Sequence, residues 1–160
     1  PVKRGQMHSL SGNLASMANG LCYAIAAQIA YPERQCIAFV GDGGFQMTLQ
    51  ELATAVQYRA NVKIIVMNNG FLGMVRQWQE VFYDKNYSEV EMQVQPDFVK
   101  LAESFGAVGL RCDKPAELSA TLKKGLSTDG VVVMDIVVSQ KENVFPMVPA
   151  GAGLKEMIFQ

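Results

Sequence analysis

The chain has 160 residues, 49% of them hydrophobic and 18% charged, which suits one domain with a sizeable buried core. Its 14 Lys and Arg offset 15 Asp and Glu with no long run of either sign, so neither nucleic acid nor an anionic membrane surface is the expected partner. No apolar run approaches the roughly 20 residues that span a bilayer, and Pro1-Val2-Lys3-Arg4 lacks the apolar core of a signal peptide. The expectation is a soluble protein of the cytoplasm, or of an organelle stroma or matrix if a transit peptide was removed.

In chain order, Ser9 to Asn13 reads as a loop, and Leu14 to Ala30 as a small-residue helix stopped by Pro32. Cys36 to Val40 forms a strand that closes on Gly41-Asp42-Gly43-Gly44. Leu49, Leu52, Ala53 and Val56, spaced i, i+3, i+4, i+7, predict a crossover helix and its buried face. A strand over 62–67 closes on Asn68-Asn69-Gly70, and Leu72 to Phe82 predicts another helix. Pro96 opens a helix with Phe98, Leu101, Ala102 and Phe105 on one face. A short strand follows at Ala107 to Arg111, then a helix lined by Leu118, Leu122 and Leu126. The unbroken run Val131 to Val138 predicts a strand buried on both faces. Strands alternating with helices give an α/β fold: a doubly wound parallel sheet with helices on both faces. The domain is expected to occupy 1–139. A tail over 140–160, broken by Pro146, Pro149, Gly151 and Gly153, either packs on its own domain or covers the cleft or a partner.

Cys22, Cys36 and Cys112 are odd in number and widely spaced, which fits buried, reduced thiols rather than a metal site. The only histidine, His8, lies in the Ser/Gly-rich lead-in, so no cysteine nucleophile with a basic partner is expected.

The chemistry is concentrated where two strands end. Between Gly43 and Asn68 lie 24 residues with helical periodicity, so Asp42 and Asn69 occupy corresponding ends of a β-α-β unit. Ligands of open α/β sheets bind at that carboxyl edge. A carboxylate and an amide carbonyl are hard oxygen donors, few in number, which suits Mg²⁺ sharing its shell with substrate phosphates. The glycines admit a diphosphate close to the backbone, and the helix start offers free N–H groups.

This GDG followed by NN resembles the diphosphate-binding motif of thiamine-diphosphate enzymes. The stretches Gly41 to Met47, Gln50 to Ala55, Gly73 to Gln79, Tyr87-Ser88, Phe145 to Pro149 and Gly151 to Leu154 resemble the C-terminal domain of acetohydroxyacid synthase (acetolactate synthase). Ala15 to Asn19 and Pro32 to Gln35 are more similar to pyruvate oxidases of the same superfamily. The resemblance implies the thiamine-diphosphate-binding fold and an enzyme that decarboxylates pyruvate and joins its two-carbon unit to a second 2-ketoacid. The alternatives are an oxidase-like decarboxylase domain or a stand-alone module without catalysis.

By the same resemblance, Asp42, the Asn69 side chain and the Phe71 backbone carbonyl would bind Mg²⁺. Gly41, Gly43, Gly44, Gly73 and Met74 would border the cofactor. Met17 matches the apolar residue that props the cofactor into its bent shape, the other reading being a core methionine. Ala15 stands where relatives have a glycine whose carbonyl meets the aminopyrimidine, and alanine is expected to lose access to positive φ. Met74 and Trp78, four apart on one helix face, would meet substrate, Trp78 otherwise anchoring the core; Arg76 and Gln77 point elsewhere and are expected to be solvated. The activating glutamate of this family lies on a pyrimidine-binding domain that the resemblance does not cover, and Glu51 is placed wrongly to replace it. That glutamate is expected from the same or another subunit, in a homo-oligomer. FAD would be present only with a middle domain.

Overall fold

The computed structural model describes residues 3 and 5–159. Even-numbered residues of the first two strands point one way and odd-numbered residues the other, because side chains alternate along a strand. Strands β1 (Ile37–Gly41), β2 (Lys63–Asn68), β3 (Val108–Cys112) and β4 (Val132–Val137) form a wholly parallel sheet in the order β1-β2-β4-β3. Ala38, Val40, Ile64, Val66 and Val133 form one face, packed with Leu21, Phe45, Leu52 and Phe98 of the helices. Ile65, Val132, Met134, Ile136 and Cys112 form the other.

The connections explain which helix covers which face. A right-handed crossover from β1 to β2 lays its helices on the first face, and the connection from β2 outward to β3 lays the helix at Phe98–Ser104 there too; the return from β3 to β4 runs the opposite way and puts α6 (Leu118–Ser127) on the second. The expected doubly wound α/β architecture is what forms. Over β1 and at the end of β2 the second face is open: Ile37, Phe39 and Met67 are exposed, Phe39 by 67%.

Several elements depart from the expected pattern. Helix α1 spans Asn19–Ala30, five residues shorter at its start than expected, because Ala15 (φ 48°) and Ala18 (φ 71°) adopt left-handed backbone that no helix continues. The crossover is two helices, α2 (Asp42–Thr48) and α3 (Glu51–Gln57), joined by tightened turns in which Leu52 and Ala53 bond to Leu49 and Gln50. The break rotates the buried face, so Leu52 and Ala55 are buried and Ala53 is exposed. In α6, Leu118 is exposed and the close seat on Met134 is made by Gly125. Cys22 and Cys36 are half-buried rather than buried, and all three thiols are free.

Helix α5 (Phe98–Ser104) begins at Asp97, whose Oδ1 accepts from the Val99 and Lys100 amides, each at 3.1 Å. The Lys100 backbone bond, then its side chain, holds the Asp97 carboxyl below its ordinary value of 3.8. A carboxyl lowered on folding adds stability above its unfolded value and loses it as pH falls through the folded one. The melting temperature of the parent should therefore exceed that of Asp97→Asn near neutrality, with the gap closing below about pH 4. A gap that persists undiminished at pH 2 would show that the cap does not act through its charge.

Candidate functional site

The site is assembled where β1 and β2 end side by side, Gly41 being in register with Met67. Asp42 is the first residue of α2 and only 1% exposed. Its Oδ1 accepts from the Gly43 amide at 3.0 Å, and its Oδ2 accepts from the Gly70 amide at 2.8 Å and from the Gln95 carboxamide. Asp42 is thus tied directly to the turn after β2, as the motif spacing predicts. Among the described residues no Lys, Arg or His pairs with it, whereas the other buried carboxylate, Asp135, is paired with Arg111 and accepts from Asn68 Nδ2 at 2.9 Å.

Two more oxygens belong to this turn. Asn69 Oδ1 accepts the Phe71 amide at 3.1 Å, and an amide oxygen has a second lone pair to offer. Phe71 pairs with Glu91 in an antiparallel bridge whose hydrogen bonds lie on either side, Leu72 N–H to Val90 and Met92 N–H to Gly70, both 2.8 Å. In such a pair the residue's own carbonyl turns out of the bridge. No donor among the described residues reaches it.

Close approach accounts for two glycines. A Cβ on Gly43 would lie 2.7 Å from Leu72 Cδ2, and one on Gly73 would lie 3.0 Å from Asn69 Nδ2. Any larger residue at 73 pushes on the Asn69 side chain. Helix α4 (Gly73–Phe82) begins there. Gly44 is buried and lies beside the Ala18 backbone, while Gly41 is exposed at the strand end. A crevice of about 660 Å³ adjoins the turn, bordered by Asn68, Asn69, Gly70, Gln95, Arg111 and Gln140.

The segment before α1 folds back toward α2, with Thr48 Oγ1 donating to the Ala18 carbonyl at 3.3 Å. Met17 there is 51% exposed, so it is not a core methionine. Ala15 does reach positive φ, contrary to expectation: the backbone keeps the shape natural to glycine and the methyl bears the strain. Ala15→Gly should raise stability by about 0.5–1 kcal/mol, the ~1–2 kcal/mol of left-handed strain less the greater freedom of unfolded glycine. Thermal unfolding reads this, and a lower melting temperature would contradict it.

Met74 (50%) and Trp78 (47%) are half-exposed on α4, which removes the core-anchor reading of Trp78; its ring instead meets Phe82 edge-on at 6.3 Å. Arg76 and Gln77, expected to be solvated, are buried at 8% and 1%. They bond to Asn143 and Val144 of the C-terminal segment, which therefore lies against this helix. Glu51 accepts from Thr54 Oγ1 at 2.9 Å within α3.

Gln95 is the contact that sequence reasoning missed, since nothing local distinguishes an amide before Pro96 from any loop residue. Asp135 did carry a signal. A carboxylate within an apolar strand run requires a partner.

Comparisons with known proteins show the family. Residues 1–136 match the family model described as thiamine pyrophosphate enzyme, C-terminal TPP binding domain. The chain is 49% identical over 148 residues to the mitochondrial acetolactate synthase catalytic subunit of Saccharomyces cerevisiae, covering 92% of this chain and 21% of that protein. It is 42% identical over 158 residues to the acetolactate synthase large subunit of Lactococcus lactis, covering 99% and 27%. It therefore spans about a quarter of the length of such relatives. Among solved structures, the thiamine diphosphate-dependent 4-hydroxybenzoylformate decarboxylase of Rhodococcus jostii RHA1 is similar with a TM-score of 0.72 and 29% identity, over 79% of this chain and 24% of that one. With the GDG and NN turns bonded to each other at the carboxyl edge of the sheet and the family match running through both, the chain belongs to the family of C-terminal TPP-binding domains of thiamine pyrophosphate enzymes.

Proposed function

We propose that this chain is the diphosphate- and Mg²⁺-binding domain of an acetolactate synthase catalytic subunit, acting on pyruvate and a second 2-ketoacid. The observation that carries the reading is the buried Asp42 carboxylate, held by three donors and, among the described residues, by no cation, and bonded to the turn that carries the Asn69 side chain and the Phe71 carbonyl. A buried, unpaired charge is costly unless something compensates it. Among the described residues no cluster of three His, Cys, Asp or Glu side chains exists, so a metal here would draw on one carboxylate, one amide and one main-chain oxygen. That set is hard and leaves positions for phosphate oxygens and water, as Mg²⁺ prefers.

In this reading Asp42, Asn69 and Phe71 hold the metal. Gly41, Gly43, Gly44 and Gly73 keep the walls low enough for a diphosphate, and Ala15, Met17 and Met74 border the rest of the cofactor. Thiamine diphosphate, when bound, supplies the chemistry by which a 2-ketoacid loses CO₂ and passes on its acyl unit. Met74 and Trp78 form the apolar wall toward the ketoacids. The activating glutamate comes from a pyrimidine-binding domain of the same or another subunit in a homo-oligomer, and any FAD from a middle domain. No helix among the described residues is long and apolar enough to cross a membrane, in keeping with a cytoplasmic or organellar-matrix enzyme.

Calorimetric titration of the chain with thiamine diphosphate tests the reading. Binding should need Mg²⁺ and vanish with EDTA, and the chain alone should form no acetolactate from pyruvate. Equal affinity with and without divalent metal would overturn the metal site.

A further inference from the structure

Helix α4 is turned inside out relative to ordinary amphipathic packing. It buries Arg76 and Gln77 and exposes Met74, Val75, Trp78 and Phe82, each by 42–50%. A buried amide is tolerated only when its hydrogen bonds are made. Gln77 makes them with one residue of the C-terminal segment: its Nε2 donates to the Val144 carbonyl at 2.9 Å, and its Oε1 accepts the Val144 amide at 2.7 Å. The same Nε2 lies 3.3 Å from Met147 Sδ. This is the pairing a neighbouring strand would offer Val144, supplied by one side chain.

Arg76 extends the contact. Its guanidinium donates to Asn143 Oδ1 at 3.1 Å, pairs with Glu80 at 2.7 Å, and lies over the rings of Phe71 and Tyr87 at 5.8 and 5.5 Å. Three separate pieces of chain, the Phe71 turn, the Tyr87 loop and the segment 143–147, therefore meet on the polar face of α4. An apolar residue at 77 would leave both backbone groups of Val144 without these partners and would remove the reason for the helix to keep this face inward.

We propose that Gln77 is a positioning residue: it fastens the segment 143–147 across α4 and thereby sets the rotation of the helix that turns Met74, Trp78 and Phe82 outward. That this outward face meets ketoacid substrates rests on the function proposed above. The clasp itself does not, and its test needs neither cofactor nor activity, so failure of one is distinguishable from failure of the other.

The chain contains one tryptophan, Trp78, next to the clasp, so intrinsic fluorescence reports the solvent exposure of the outward face of α4. In Gln77→Met, similar in length but without the donor and acceptor, hydrogen exchange at the Val144 amide should accelerate roughly ten- to a hundredfold relative to amides of β4. Trp78 emission and its quenching by acrylamide should change together with it. Val144→Pro removes the amide given to Gln77 from the tail side without altering α4, and Trp78 emission should shift there too. If Gln77→Met does not fold, Val144→Pro decides alone. Unchanged Trp78 emission in Val144→Pro, or unchanged Val144 exchange in a folded Gln77→Met, would overturn the proposal.

Discussion

Replacing Asp42 by alanine is expected to weaken Mg²⁺-dependent binding of thiamine diphosphate by about 2–4 kcal/mol, roughly 30- to 1,000-fold. The size follows from burial: at 1% exposure the carboxylate lies where water cannot substitute for it. The variant loses the bonds to Gly70 and Gln95 as well, so the turn carrying Asn69 and Phe71 loosens with it. A thermal measurement separates the two losses. Ligand that binds only the folded state adds about 2.7 kcal/mol at a hundred times its dissociation constant. The parent should gain this increment when Mg²⁺ and cofactor are added together, and Asp42→Ala should not, whatever its metal-free stability. Identical affinities in parent and variant would remove Asp42 from the metal site.

Phe98→Ala is expected to cost about 3–5 kcal/mol of folding stability, the range for emptying a fully buried aromatic site. Phe98 is 1% exposed and meets Phe45, 0% exposed, edge to face with ring centroids 5.5 Å apart. Phe45 is three residues beyond Asp42 on α2, so this pair joins the helix bearing the candidate metal ligand to α5. Phe45→Ala should cost a similar amount, and the double variant should fall short of the sum by about 0.5–1.5 kcal/mol, the coupling of such a pair. Urea unfolding of the four proteins measures all three quantities. A loss below about 1 kcal/mol for Phe98→Ala would mean that α5 is not seated as described.

Much of the fold was readable along the chain because its signals are local. An apolar run of strand length closing on Gly-Asp-Gly, a helical period, and a second run closing on Asn-Asn require no knowledge of distant residues. Their spacing alone placed Asp42 beside the Asn69 turn, and the 2.8 Å bond from the Gly70 amide to Asp42 is that placement realised. The start of α1 was harder. Leu14 to Ala18 has helical composition, and only the left-handed backbone at Ala15 and Ala18, which lets this segment fold back beside α2, prevents it from joining the helix. The two-part crossover has the same character: residues 49–57 keep a helical period, while the interruption at Leu49 and Gln50 changes which side of α3 is buried.

Helix α4 separates the two kinds of information most clearly. From Met74 to Phe82 the sequence determines that the helix has an apolar face and a polar face. Periodicity defines that axis but not its sign. The sign depends on what lies opposite, and for Arg76 and Gln77 the opposite groups are Asn143 and Val144, each 67 residues away. Gln95, 53 residues from Asp42, reaches the site for the same reason. The sequence by itself determined the strands, the order of elements and the pair of turns that meet at the sheet edge, since each depends on neighbours in the chain. Only the tertiary structure decided which polar side chains became interior, because a buried amide is stable wherever the folded topology delivers a matching backbone group, and no local pattern records where that will be.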